Sequence, residues 1–301
     1  MPVIEIEKLT KFYGQTPGVI ELDLSVEEGE IFGFVGPNGS GKSTTIRTLM
    51  GFLQPTAGSV KIFDMDVFTN STRIKQDIGY VPNNVNYYSN MKATELIHYA
   101  ASFHPNVSTQ RIDELCDLFE VEKKKTFSRM SVGNRKKVAI VQALMHNPRL
   151  LILDEATSGL DVSMKKRLME QLRDLNIKGT TIFFCSNNLS EVQDICGRTA
   201  VIRGGSIIEI KETSVLSGGN VRVVKVRATR DISSVLEVFK IKDAKKVEDY
   251  VVFLYDGSMD NLVKALANFS VLDLQIALPS LEDAIIRYYE KQLEKEEESF
   301  V

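Results

Sequence analysis

Cysteine is scarce, long apolar runs are absent, and neither sign of charge dominates. The 301-residue chain has three cysteines, 37 Lys+Arg against 40 Asp+Glu, and a net charge of −3. Cys116, Cys185 and Cys196 are odd in number and far apart, so they form neither a disulfide framework nor a zinc pattern. Buried free thiols of a reducing compartment are expected. No apolar run reaches the roughly 18 residues that cross a bilayer. The opening residues, Met1 to Glu5, lack a basic region followed by an apolar core, so no signal peptide is expected. The near-neutral balance exerts no general pull on nucleic acid or anionic lipid, so any phosphate binding has to be local. Hydrophobic residues at 43% and charged residues at 26% exclude disorder as the main state. At roughly 100–200 residues per domain, the length points to two domains.

What is present is ordered along the chain. Apolar runs at 4–9, 19–26 and 31–35 predict strands, and 42–50 predicts a helix after the break at 36–41. The run 150–153 is wholly apolar, as in a strand buried on both faces. Then follow a helix over 162–176, a strand over 180–185, a short helix over 189–196, and a hairpin of 199–203 and 206–211 across Gly204-Gly205. This alternation implies α/β layering on a mostly parallel sheet. Between the strands, 93–145 is mainly helical (94–102, 109–119 and 133–145), with Pro105 and Pro148 as breakers. It predicts a helical insertion.

After Lys211 the pattern changes. Residues 217–220 are linker-like. A strand at 221–228, a helix at 232–239, strands at 244–248 and 251–255, a helix at 259–268 and a strand at 271–278 give the β-α-β-β-α-β order of a ferredoxin-like sandwich. A last helix is predicted after Pro279-Ser280, with Leu281, Ala284, Ile285 and Tyr288 on one face. The expected organisation is a first domain over 1–216, its helical part at about 85–148, and a small α+β domain over 217–301.

Two segments carry chemistry. Gly36-Pro37-Asn38-Gly39-Ser40-Gly41-Lys42-Ser43-Thr44 fits the phosphate-binding P-loop pattern, between a predicted strand and a predicted helix. Its glycines let backbone N–H groups turn inward, and the helix N-terminus adds positive partial charge. Lys42 would reach the β- and γ-phosphates, and the Ser43 hydroxyl would hold Mg²⁺. The run Leu150-Leu151-Ile152-Leu153 ends in Asp154-Glu155. Ligands of parallel α/β sheets bind beyond the carboxyl ends of the strands. Asp154 would face Mg²⁺, and Glu155 would act as general base toward the attacking water.

With these and four further motifs, the sequence resembles the nucleotide-binding subunit of ATP-binding cassette (ABC) transporters. Lys11-Phe12-Tyr13-Gly14 is similar to the segment whose aromatic stacks on adenine. Ile78-Gly79-Tyr80-Val81-Pro82 is similar to the approach to the family's Q-loop. Met130-Ser131-Val132-Gly133-Asn134-Arg135 stands where the family carries its Leu-Ser-Gly-Gly-Gln signature. Ser158-Gly159-Leu160-Asp161 matches its D-loop. The resemblance covers about 3–212. It implies a P-loop cassette that binds ATP with Mg²⁺. It also implies nucleotide-binding roles for Ser131, Gly133 and Asp161, and a second nucleotide-binding subunit, identical or not, set head to tail so that the P-loop of one copy meets 131–134 of the other with ATP between them. It further implies a separate transmembrane permease subunit, a place at the cytoplasmic face of the membrane, and no role for nucleic acid. One cassette plus a small C-terminal domain resembles bacterial drug and antimicrobial-peptide exporters.

Three family positions are altered. Asn83 stands for the Q-loop glutamine, Val132-Gly133-Asn134 for Gly-Gly-Gln, and Asn187 for the switch histidine. Asn83 keeps an amide for Mg²⁺ or water with one methylene less reach. Asn187 can still hydrogen-bond the γ-phosphate without carrying charge. Neutral variation within a working ATPase and a slowed, mainly nucleotide-binding subunit both fit. A soluble ABC protein acting on ribosomes or DNA is the alternative of another class. Such relatives usually carry two cassettes or a long coiled coil, and this chain has one P-loop and no sustained heptads.

Overall fold

The chain opens with two long strands, β1 (Pro2–Tyr13) and β2 (Thr16–Glu27), paired antiparallel. Along β2, Leu22, Leu24 and Val26 are buried while Glu21 and Asp23 face outward, the period-two pattern of a sheet with one wet face. The third strand, β3 (Ile31–Val35), is different: all five residues are buried. Helix α1 (Lys42–Leu49) follows, then β4 (Ala57–Ile62), β5 (Met65–Asp66), α2 (Ser71–Gln76) and β6 (Ile78–Val81). The helices α3 (Ala93–Ala101), α4 (Thr109–Leu118) and α5 (Val132–Leu144) form the expected insertion. Next come β7 (Leu150–Asp154), α6 (Val162–Ile177), β8 (Thr181–Ser186), α7 (Leu189–Ile195), β9 (Arg198–Arg203), β10 (Ser206–Glu212) and α8 (Thr213–Leu216). This computed structural model describes residues 1–216, 222–239, 241 and 244–277. The linker at 217–220 and the helix predicted after Pro279 lie outside them.

Two sheets share one core. The six-stranded sheet runs β10-β9-β3-β8-β7-β6, with β3 parallel to β8 and β9, and β7 parallel to β6 and β8. The carboxyl ends of β3, β6, β7 and β8 therefore open on one edge. A second sheet, β2-β1-β4-β5, is wholly antiparallel. A mostly parallel sheet accounts for only the first of these, because the pairing of β1 with β4 joins residues as distant as Ile4 and Ile62. Ile4, Leu22, Val60, Ile46, Phe34, Phe183 and Ile152 belong to a single buried cluster, so α1 packs where the two sheets meet. Cys116, Cys185 and Cys196 are buried free thiols.

The described residues divide into two compact units. One is Met1–Asn187 with Asp194–Lys211, and the other is Asn188–Gln193 with the residues from Glu212 on. The second contains β11 (Arg222–Ala228), α9 (Ser233–Val238), β12 (Lys245–Val247), β13 (Tyr250–Tyr255), α10 (Met259–Leu266) and β14 (Val271–Ala277). Its sheet runs β12-β13-β11-β14 with every pair antiparallel, the ferredoxin-like arrangement. Val224 and Val226 face inward on either side of exposed Lys225 and meet Phe253, Leu262 and Leu266.

Candidate functional site

The loop between β3 and α1 is shaped by its glycines. Gly41 has φ +110, and a Cβ there would lie 2.7 Å from the Gly18 carbonyl. Only glycine combines that backbone with so close an approach. Lys42 begins α1 and is 6% exposed. Its ammonium donates to the carbonyls of Gly36 (2.6 Å) and Pro37 (3.1 Å) and lies 3.8 Å from Glu155 Oε1. Ser43 is exposed beside it.

The end of β7 supplies the opposite charge. Asp154 is buried, and burial pushes its carboxyl above the ordinary value. A hydrogen bond from Cys185, the Lys136 and Lys42 ammoniums and the Asn83 N–H act in the opposite direction. Its Oδ1 is buried without a hydrogen-bond partner. A divalent cation on that oxygen would relieve both the desolvation and the missing bond, so the residues fit Mg²⁺. Among the described residues, no three His, Cys, Asp or Glu side chains cluster as a metal site. The cation would therefore complete its shell with phosphate oxygens and water as well as the Ser43 hydroxyl. Glu155 is 9% exposed and takes φ +50, a left-handed backbone rare for this residue type, while its N–H donates to Cys185 O at 3.0 Å. Strain of this kind collects at functional sites.

One cleft of about 300 Å³ joins these groups: 38–44 of the P-loop, Tyr13, Pro17, Gly18, Asn83 and Glu155. Tyr13 is 47% exposed, with its hydroxyl 3.3 Å from Thr44 Oγ1, so a ring face is available at the rim. Ser131, Gly133, Asp161 and Asn187 are not on the cleft wall. Ser131 caps α5, accepting from Asn134 N–H, and Asp161 caps α6, accepting from Met164 N–H at 3.0 Å. A Cβ on Gly133 would collide with the Gly159 carbonyl, so the signature-like and D-loop-like segments touch within one chain. Asn187 is exposed just beyond β8.

Sequence reading missed Lys136. It is 1% exposed, and its ammonium donates to the carbonyls of Pro82 (2.9 Å), Asn83 (2.8 Å) and Glu155 (3.1 Å). Desolvation pushes this lysine down to about 8, against the pull of Asp154 and Glu155. The signal was there: helical spacing sets Lys136 on one face with the buried Ile140 and Ala143.

Residues 19–158 match the family model of the ABC transporter. The bacitracin transport ATP-binding protein BcrA of Bacillus licheniformis is 32% identical over 298 residues, covering 95% of this chain and 96% of that one. The linearmycin resistance ATP-binding protein LnrL of Bacillus subtilis is 27% identical, covering 93% and 96%. Among solved structures, an ATP-binding subunit of an ABC transporter superposes with a TM-score of 0.65 at 21% identity, covering 88% of this chain and 99% of that one. A dimeric bacterial ABC transporter cassette also gives 0.65, at 24% identity over 70% of this chain and 98% of that one. At these identities the two structures show a shared fold.

Proposed function

Because the chain belongs to the ATP-binding proteins of the ABC transporter family, we propose that the cleft between the P-loop and Glu155 is its ATP site. Membership makes it an ATPase subunit that powers export. The observation that carries the site is the convergence of two buried ammoniums, Lys42 from the P-loop and Lys136 from α5, on Glu155, whose neighbour Asp154 is a second buried carboxylate.

In this reading, the inward N–H groups of 38–44 and the start of α1 receive the phosphates. Lys42 leaves the Gly36 and Pro37 carbonyls for the β- and γ-phosphates. Tyr13 stacks on adenine. Asp154, Ser43 and Asn83 hold Mg²⁺, which when bound neutralises charge on the phosphate oxygens. Glu155 takes the proton of a water whose oxygen bonds to the γ-phosphorus, while the bond from that phosphorus to the bridging oxygen breaks and ADP leaves with the electron pair. Asn187 steadies that water. Ser131, Gly133 and Asp161, which lie off the cleft of their own chain, serve the nucleotide of a second cassette. A separate transmembrane permease subunit supplies the path, and the chain works at the cytoplasmic face of the membrane. Relatives named for bacitracin transport and linearmycin resistance make a drug or peptide-like antimicrobial the cargo class to test. They lend nothing to a ribosome- or DNA-directed role.

The test is Glu155→Gln. It should bind ATP and sediment as an ATP-dependent dimer while phosphate release falls about 10²- to 10⁴-fold, the range of a lost general base. Phosphate release at the parent rate would defeat the reading.

A further inference from the structure

The ladder between β6 and β7 ends at the pair Val81 and Leu153. Beyond it, the two segments that carry Asn83 and Glu155 are no longer paired with each other, although Asp154 stays paired with Cys185 of β8 and the Glu155 N–H donates to Cys185 O. Lys136 is inserted there from α5. Its ammonium has three N–H donors, and all three are used: Pro82 and Asn83 on one segment, Glu155 on the other. Its partners are all backbone carbonyls, so it holds the main chain at Asn83 and Glu155, two residues that line the cleft. Glu155 is the residue held at φ +50, a conformation that surrounding contacts must impose.

We propose that Lys136 is a positioning residue for hydrolysis, whose ammonium ties the backbone after β6 to the backbone after β7 and so aims Asn83 and Glu155 at one point. The inference rests on the reading of the cleft as the ATP site. A lysine is suited to this task because a compact, fully donating cation can satisfy three converging carbonyls at once. Asp154 and Glu155 supply the negative charge that keeps such a cation in a buried place. The role is distinct from that of Lys42, whose hydrogen bonds go to P-loop carbonyls and which meets Glu155 at its carboxylate and not at its backbone.

The experiment uses the full chain with Mg-ATP, measuring steady-state phosphate release and equilibrium ATP binding for the parent, Glu155→Gln, Lys136→Met and Lys136→Arg. Lys136→Met keeps the stem and removes the donors. Its kcat should fall about 10- to 100-fold, the effect of misplacing a reacting group by an ångström, with ATP affinity within about 3-fold of the parent because the P-loop is untouched. Lys136→Arg, which restores donors, should recover part of the loss. A parent-like kcat for Lys136→Met would overturn the proposal. So would equal losses of kcat and ATP affinity, which mark a merely structural lysine. Should Lys136→Met not fold, Lys136→Gln, with two donors at shorter reach, is judged by the same split. A parent without turnover, or a Glu155→Gln variant as active as the parent, would instead sink the reading of the cleft.

Discussion

The cassette and the accessory unit differ most in where they bury charge. In the cassette, Lys42, Lys136, Asp154 and Glu155 are each under 10% exposed; Lys42 and Glu155 line one cleft, Asp154 precedes Glu155, and Lys136 bonds the Glu155 carbonyl. Among the described residues of 222–277 no charged side chain is buried. That core is Val224, Val226, Ile232, Val235, Phe253, Tyr255, Leu262 and Leu266. Removing an ion from water costs several kcal/mol, and a well-packed apolar residue of similar volume is often the more stable choice. A chain that can build a plain apolar core in one unit, and yet gathers four ions in the other, keeps them for chemistry.

That contrast can be broken or sharpened by substitution. The largest effect is expected at Lys42. Lys42→Ala removes the ammonium proposed to meet the phosphates and should weaken ATP binding by about 1.5–3 kcal/mol, roughly 10- to 150-fold. An unchanged binding isotherm would remove the P-loop assignment. Next is Asn187, exposed at the end of β8. Asn187→His should raise phosphate release at saturating ATP by roughly 10-fold, about 1–2 kcal/mol from one added transition-state hydrogen bond. A fall in rate would mean that Asn83, Asn134 and Asn187 work as an adapted set. Tyr13 is half-exposed, so Tyr13→Ala should lose only about 1 kcal/mol of ATP affinity, roughly 5-fold, with Tyr13→Trp retaining it. Equal loss in both variants would argue against stacking. The smallest effect on nucleotide should come from the accessory core. Leu262→Ala should destabilise that unit by about 2–5 kcal/mol and leave ATP affinity unchanged. A matching loss of ATP binding in a folded variant would make the two units one energetic body.

Local chemistry was legible before the structure. The P-loop pattern is contiguous, so 36–44 could be read from spacing alone, and 38–44 line the cleft. The carboxyl pair at 154–155 ends an apolar run that could only be a buried strand. The ferredoxin-like order was readable because each element is short and punctuated. What escaped notice depends on distant partners. The antiparallel sheet needs Ile4 beside Ile62, and Pro17 and Gly18 reach the cleft only because Gly41 packs on the Gly18 carbonyl. Lys136 escaped because a lysine on an apolar face looks like an exception until its three carbonyl partners, 19 to 54 residues away, are seen. Ser131 and Asp161 were found by resemblance, and their capping bonds give them a local reason to be Ser and Asp as well.

Amide hydrogen exchange of the full chain with and without saturating Mg-ATP tests the central claim most directly, because it reads both units in one experiment. The account predicts slowed exchange at the N–H groups of 39–44 and none in 222–277. Protection confined to 222–277, or none at 39–44 with ATP bound, would contradict it.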